Sequence, residues 1–111
     1  MTNRIASFDD FWPYYLREHS RPATRALHYI GTSLVVAVAI YALLTAAWLL
    51  LLAIPLVGYF FAWVGHFGIE KNRPATFNYP LWSLGADFKM WWMWLTGQLG
   101  AELRRAGVSP Q

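Results

Sequence analysis

The fold is decided by residues 26–69, which read ALHYIGTSLVVAVAIYALLTAAWLLLLAIPLVGYFFAWVGHFGI and contain no Asp, Glu, Lys or Arg. A bilayer core of about 30 Å is crossed by about 20 helical residues, so this run is too long for one span and just long enough for two. We predict a hairpin of two short transmembrane helices over residues 30–66, with its turn near Thr45–Trp48 and a bend at Pro55 and Gly58. A single long helix is the alternative, and no heptad pattern of charges supports it.

Composition excludes several classes of protein. Of the 111 residues, 57% are hydrophobic and 14% are charged, whereas an ordinary soluble domain has about 25% charged residues. A domain of this size cannot bury so much apolar surface, so the lipid bilayer is the expected partner. The absence of cysteine excludes disulfides, cysteine-ligated zinc and iron–sulfur clusters. The net charge of +3 includes no long basic run, and no nucleic-acid partner is predicted.

The chain is short enough for a single domain over residues 1–111. We predict N-terminal helices within residues 8–29, a third helix over residues 81–99 and a polar tail over residues 101–111. The third helix carries Asp87 near its middle, a costly place for charge in hydrocarbon, and four Trp residues that favour the headgroup region. The predicted fold is therefore an all-α membrane protein whose C-terminal helix is interfacial or re-entrant, not a third span.

Two crossings return the chain to the membrane face that it left. His28 at the entrance of the hairpin and His66 at its exit therefore lie on one face, together with His19, which shortly precedes the entrance. Basic residues flank both ends of the hairpin: Arg4, Arg17, Arg21 and Arg25 before it, and Lys71 and Arg73 after it. Because Lys and Arg are retained on the cytoplasmic side, both termini and all three histidines are predicted to be cytoplasmic. The membrane would be the inner (plasma) membrane of a bacterium or the endoplasmic reticulum of a eukaryote.

The exit of the hairpin carries residues suited to chemistry. Glu70 is four residues after His66, and on an α-helix two such side chains share one face. Three imidazoles and a carboxylate suit nonhaem iron, manganese or zinc. The open alternatives are that the histidines are interfacial anchors or buried hydrogen-bonding groups, or that two of them ligate haem. Gly65 and Gly68 flank His66 and predict the close approach of another helix or of a ligand.

Several ordered motifs carry a resemblance to a known family. They are Phe11 with Tyr15 and His19, then Arg25–Thr32, Gly65–Glu70 and Arg73–Ala75. Over residues 8–99 the chain thereby resembles the 2-hydroxy fatty acid dioxygenase family of small membrane proteins. The resemblance implies a membrane-bound, Fe(II)-dependent dioxygenase that shortens 2-hydroxy fatty acids by one carbon in α-oxidation, without 2-oxoglutarate.

The resemblance also implies that His19, His28 and His66 are iron ligands and catalytic residues. We expect Glu70 to join them, either as a metal ligand or as an outer partner, because it matches the acidic position of the family and has the i+4 spacing. Arg73, which can hold a carboxylate bidentately, is expected to contact the substrate; its alternative role is an ordinary flanking charge.

The same expectation of substrate contact applies to Asn72 and Tyr15. Several points stay open at this stage. A related hydroxylated lipid is the alternative substrate, and a non-enzymatic membrane protein for helix association or lipid binding is the alternative function. A homodimer is compatible with the uncovered apolar surface of so small a hairpin. The part played by Asp87 is also undetermined.

Overall fold

The computed structural model describes residues 5–74 and 77–108, and every regular element in these two stretches is helical. Arg4 of the basic flank, Ala75 of the last motif and residues 109–111 of the predicted tail lie outside them. The elements are α1 (Phe8–Arg17), α2 (Pro22–Thr45), a 3-10 helix (Trp48–Leu52), α3 (Ala53–Trp63), a π-helix (Val64–Glu70), α4 (Pro80–Leu95) and α5 (Leu99–Arg105).

Two helices are long and apolar enough to cross a membrane, as the sequence predicts. The first is α2, with 24 residues, and the second is the continuous Trp48–Glu70 helix, with 23, so each is about 35 Å long. Only 17% of the most apolar stretch of α2, and 6% of that of the second helix, is buried inside the protein. A core helix of a soluble protein would be mostly covered, whereas these two helices leave most of their apolar surface uncovered by the protein itself.

The two long helices pack against each other in antiparallel directions. The chain turns after Thr45 through Ala46, whose φ of 56° is left-handed, and the 3-10 helix begins two residues later. Close approach occurs where glycine faces a larger side chain. A Cβ on Gly31 would lie 3.0 Å from the Cβ of Phe61. The lack of a side chain at Gly31 therefore lets the two helix backbones approach closely near the middle of the hairpin.

A compact hydrophobic core lies at one end of this pair, between α1, α4 and α5. Its fully or nearly fully buried members come from all three helices and from the residues that follow α5: Phe11, Trp12, Tyr15, Leu16, Ala86, Met90, Leu99, Leu103, Ala106 and Val108. The side chain of Ser7 caps α1 by accepting a hydrogen bond from the backbone N–H of Asp10.

In the structure, the region predicted as a third helix and a polar tail contains two helices. α4 ends at Leu95, and Gly97, with a φ of 76°, takes a left-handed conformation that glycine adopts without strain and that ends the helix. The chain then forms α5, whose Leu99 and Leu103 are 4% and 2% exposed. The indole Nε1–H of Trp12 donates a hydrogen bond of 2.9 Å to Glu102 and ties α5 to α1.

The burial of α5 leads to a prediction about stability. Leu103→Ala should lower the free energy of unfolding by about 2–5 kcal/mol, because it opens a cavity in the core. Leu95→Ala is the matched control, since Leu95 is 52% exposed on α4, and it should cost less than about 1 kcal/mol. Near-ultraviolet circular dichroism in mild detergent measures both. Equal effects would show that α5 does not belong to the core.

Candidate metal centre

Three different segments bring the three histidines together. His19 follows α1, His28 lies on α2 and His66 lies in the π-helix. One ring nitrogen from each lies within 4.8 Å of the others, and the ring centroids are 4.3, 4.4 and 5.3 Å apart. All three side chains are buried, with exposed fractions of 1%, 5% and 2%. The cluster sits where the hairpin meets the α1–α4–α5 core.

Backbone carbonyls set the tautomer of two of these rings. The Nδ1 of His19 lies 2.7 Å from the carbonyl oxygen of Tyr15, and the Nδ1 of His28 lies 3.1 Å from that of Thr24. A carbonyl oxygen accepts only, so each Nδ1 carries the hydrogen. The Nε2 of each neutral ring then keeps its lone pair, which is the form that binds a metal.

Asn72 does the same for the third ring. Its side-chain oxygen accepts from the Nδ1 of His66 at 2.7 Å, while its side-chain nitrogen donates to the backbone carbonyl of Glu18 at 3.1 Å. The second contact fixes which end of the amide faces the histidine. The structure therefore places Asn72 behind His66 as its orienting partner, so that the Nε2 of this ring is also free of hydrogen.

The contact between His19 and His28 is unfavourable without a cation. Their Nε2 atoms lie 3.0 Å apart, and both carry lone pairs by the preceding argument. Two nitrogens bound to one metal at about 2.1 Å and at a right angle are about 3.0 Å apart. Burial lowers the pKa of His19 well below its usual range, with the neighbouring His28 and His66 acting in the same direction. The ring is therefore neutral and available as a ligand, and the donor set fits a divalent transition metal.

The π-helix places His66 at this point. A Cβ on Gly65 would lie 2.9 Å from the Cγ2 of Thr24, whereas a Cβ on Gly68 would meet nothing within 4 Å. The predicted close approach of another helix is thus found at Gly65 and not at Gly68. Lys71, with a φ of 61°, ends the π-helix, and the backbone N–H of Asn72 donates to the carbonyl of His66 at 3.0 Å.

The structure does not bring Glu70 into the histidine cluster. The Glu70 carboxylate instead accepts from the Ser20 hydroxyl at 3.0 Å and from the backbone N–H of Arg21 at 2.6 Å. Arg21 is the N-cap residue of α2, so Glu70 caps that helix and joins the end of one long helix to the start of the other.

Besides Asn72, Arg73 and Tyr15 were expected to contact the substrate, and neither of them lines the cavity described below. The exposed guanidinium of Arg73 sits over the Phe77 ring, 5.0 Å from its centroid. Tyr15 is fully buried, and its hydroxyl donates a short hydrogen bond to the carboxylate of Asp87. Tyr15 thus supports two side chains, His19 through its carbonyl and Asp87 through its hydroxyl.

A cavity of about 300 Å³ opens from the histidines, within the size range of small-molecule sites. Its polar lining consists chiefly of the three histidines on one side and of Ser83 and Asp87 from α4. The apolar lining comes from α2, α3 and α4 and includes Val35, Ile54, Pro55, Gly58, Ala62, Leu84 and Phe88. The cavity therefore combines a polar end with an apolar groove along the hairpin.

Asp87 is the site residue whose role the sequence left open. Burial raises its pKa from a usual value near 3.8 to about 7, and the hydrogen bond from Tyr15 opposes this only in part. The signal in the sequence was a lone acidic residue within a Trp-rich apolar helix. What the sequence lacked was the packing of α4 on α1, which turns this charge towards the cavity.

The structure thus defines a small all-helical protein with two helices long and apolar enough to span a membrane and with a buried three-histidine cluster that could hold a metal ion. The family model described as 2-hydroxy-palmitic acid dioxygenase Mpo1-like matches residues 5–99. The chain belongs to this family, and the matched region contains every residue of the cluster and of the cavity. Comparison with curated proteins and with solved structures gave no match.

The contact at Gly65 predicts how sensitive the cluster is to helix spacing. Gly65→Ala should separate the π-helix from α2 and weaken Co(II) binding about tenfold to a hundredfold, the range seen when groups that orient ligands are lost. Gly68→Ala is the matched control and should bind Co(II) as the wild type does. Visible absorption during an anaerobic titration reports both. Unchanged affinity in Gly65→Ala would contradict the proposed role of this contact.

The raised pKa of Asp87 predicts a pH-dependent stability. Between its unfolded and folded pKa values the folded protein binds more protons than the unfolded chain, so stability falls as the pH rises through this window. Asn stays neutral, and Asp87→Asn should therefore gain in melting temperature relative to the wild type as the pH rises from about 4 to about 7. Asp10→Asn, at an exposed position, is the charge-matched control. A pH-independent difference for Asp87→Asn would contradict the assignment.

Proposed function

We propose that this protein is an iron(II)-dependent dioxygenase that acts on a 2-hydroxy fatty acid, or on a related hydroxylated lipid, at the membrane face. The observation that carries the proposal is the buried cluster of three imidazoles, which offer ring nitrogens within 4.8 Å of one another and line an otherwise mostly apolar cavity. Membership of the 2-hydroxy-palmitic acid dioxygenase family supports the same reaction class.

The three histidines are the residues that would hold the iron. They are neutral, and His19 and His66 are each oriented through Nδ1, by Tyr15 and Asn72 respectively. Three protein ligands leave positions open on the cavity side. When bound, Fe(II) supplies the redox chemistry that dioxygen needs in order to react with an organic acid. We assign Glu70 a positioning role, because its carboxylate is engaged at the N-terminus of α2.

The shape of the cavity favours an acyl chain as the substrate tail. His66 and Ile54 both line the cavity and belong to the same long helix, and their separation of twelve residues corresponds to about 18 Å along its axis. Half of a bilayer core is about 15 Å. The groove is therefore about as long as one leaflet of the bilayer core is thick, and a fatty acid with its head at the histidines can extend its tail along it.

One-carbon shortening balances with dioxygen as the only oxidant. R–CH(OH)–COOH and O₂ give R–COOH, CO₂ and H₂O. The four electrons that O₂ accepts come from the hydroxyl-bearing carbon, which reaches the acid level, and from the carboxyl carbon, which leaves as CO₂. The protein contributes by holding the bond between these two carbons next to the metal and by excluding water from a buried pocket.

We propose an integral membrane location with the site on the cytoplasmic face. The uncovered apolar faces of the two long helices support insertion, and the basic flanks support the orientation. α4 lies in the interface in this arrangement. It is held against α2 by the Trp91 indole, which donates to Ser33 at 3.0 Å, and by the stacking of Trp94 on Tyr29 at 4.4 Å.

Replacement of a ligand tests this function directly. His66→Ala should lose both iron binding and turnover while still inserting into membranes, because the change removes a ligand and leaves the apolar helices intact. Glu70→Gln is the control for the ligand set and should keep about one iron per chain, since its carboxylate lies at the α2 N-terminus. Iron analysis after anaerobic Fe(II) loading, together with CO₂ release, measures both.

The possible results separate the candidate functions. Retained iron and activity in His66→Ala would end the proposal. Loss of iron in Glu70→Gln would return Glu70 to the ligand set. A wild-type protein that takes up no iron would instead favour a non-enzymatic membrane protein, with the histidines as anchors.

A further inference from the structure

We propose that Asp87, held in place by Tyr15, binds the 2-hydroxyl group of the substrate and so selects hydroxylated over unsubstituted fatty acids. This inference rests on the proposed function and adds a specificity-determining residue to it. Neither the three-histidine cluster nor the family match assigns a task to Asp87.

Asp87 lines the cavity that opens from the histidines, but it does not belong to the candidate metal cluster. It lines the same space as His19, His28 and His66, yet among the described residues the group close enough to share one ion consists of the histidines alone. Asp87 belongs to α4, whereas the histidines come from the α1–α2 connection, α2 and the π-helix. A ligand bound between them therefore meets imidazoles on one side and a carboxyl on another.

The hydrogen bond from Tyr15 holds the carboxyl in one orientation. The Tyr15 hydroxyl occupies Oδ1 of Asp87, and the Tyr15 ring packs 4.3 Å from the ring of His19, centroid to centroid. The position of Asp87 is thus linked to the position of a metal ligand through one rigid side chain. Asp87 also lines the cavity, and a group oriented in this way contributes to specificity.

The two polar groups of a 2-hydroxy acid, its carboxylate and its hydroxyl, suit different parts of the cavity. A fatty-acid carboxylate is repelled by an ionised Asp87 and is attracted to a cation at the histidines. A hydroxyl group donates to a carboxylate oxygen and also accepts from a protonated carboxyl, so it suits Asp87 in either form. The rest of the lining is mostly apolar, and an unsubstituted chain would leave the buried carboxyl without a ligand partner.

Burial also keeps Asp87 usable in both roles. Its pKa of about 7 means that the protonated and the ionised forms are both present near neutral pH. This property supports the assignment, which depends on the position of Asp87 in the cavity and on its contact with Tyr15.

The experiment compares the binding of two acids by the full-length protein in detergent, loaded with Fe(II) and kept anaerobic so that no turnover occurs. The probes are 2-hydroxyhexadecanoic acid and hexadecanoic acid, and tryptophan fluorescence reports the dissociation constants. The wild type should prefer the hydroxy acid. Asp87→Ala should bind the hydroxy acid about tenfold more weakly, the value of one lost buried hydrogen bond, and the unsubstituted acid as before.

A second variant keeps the test valid if Asp87→Ala leaves the Tyr15 hydroxyl unsatisfied and unfolds. Tyr15→Phe combined with Asp87→Leu replaces both partners by apolar groups, which folded proteins tolerate better than a single orphaned group. It should lose the preference for the hydroxy acid to the same extent. Asp10→Asn should behave like the wild type in both assays.

The inference is overturned if the variants weaken both acids equally, if they weaken neither, if they lose iron, or if the wild type binds the two acids alike. Its failure differs from failure of the proposed function. A wild type that binds the hydroxy acid selectively but releases no CO₂ leaves Asp87 assigned and contradicts the dioxygenase. If the wild type releases CO₂ but Asp87→Ala binds both acids normally, the dioxygenase is supported and the role of Asp87 is contradicted.

Discussion

Two ring nitrogens that carry no hydrogen, Nε2 of His19 and Nε2 of His28, lie 3.0 Å apart in the interior of the protein. Their lone pairs repel unless a cation lies near both of them, and burial keeps water from separating them. The backbone carbonyls behind the two rings prevent either from turning its N–H towards the other. Together with the nearby ring of His66, this contact forms a cluster that could hold a metal ion.

The fold has two parts that differ in how much of their apolar surface is buried. The α1–α4–α5 core supplies the buried packing that a small chain needs, while the two long helices leave most of their apolar surface uncovered. The site lies at the junction, where Glu70 caps α2 and Asn72 links His66 to the end of α1. The apolar groove along the long helices therefore ends at a rigid polar cluster.

Much of this arrangement follows from the sequence. The length of the uncharged run predicted two apolar helices, and the return of the chain predicted that His28 and His66 share one end of them. The role expected of Glu70 assumed α-helical spacing. In the structure the Glu70 carboxylate is engaged by Ser20 and by the backbone N–H of Arg21 at the start of α2. This contact joins segments that are distant in sequence, so local spacing could not reveal it. Asn72, six residues after His66, takes the place beside that ring.

Other features depend on contacts between distant segments and could not be read from local pattern. Residues 101–105, predicted to belong to a polar tail, form part of α5, and Leu103 lies in the buried core together with residues of α1. The role of Asp87 was also left open by the sequence, and the structure shows that the Tyr15 hydroxyl donates a hydrogen bond to its carboxylate. In both cases the missing information was tertiary packing, which overrides the preference of a short segment.

X-ray absorption at the iron edge of the Fe(II)-loaded protein tests the central claim most directly. The account predicts imidazole scattering that corresponds to three nitrogen ligands at about 2.1 Å from the metal. A spectrum without imidazole scattering, or a protein that retains no iron after anaerobic loading, would contradict it.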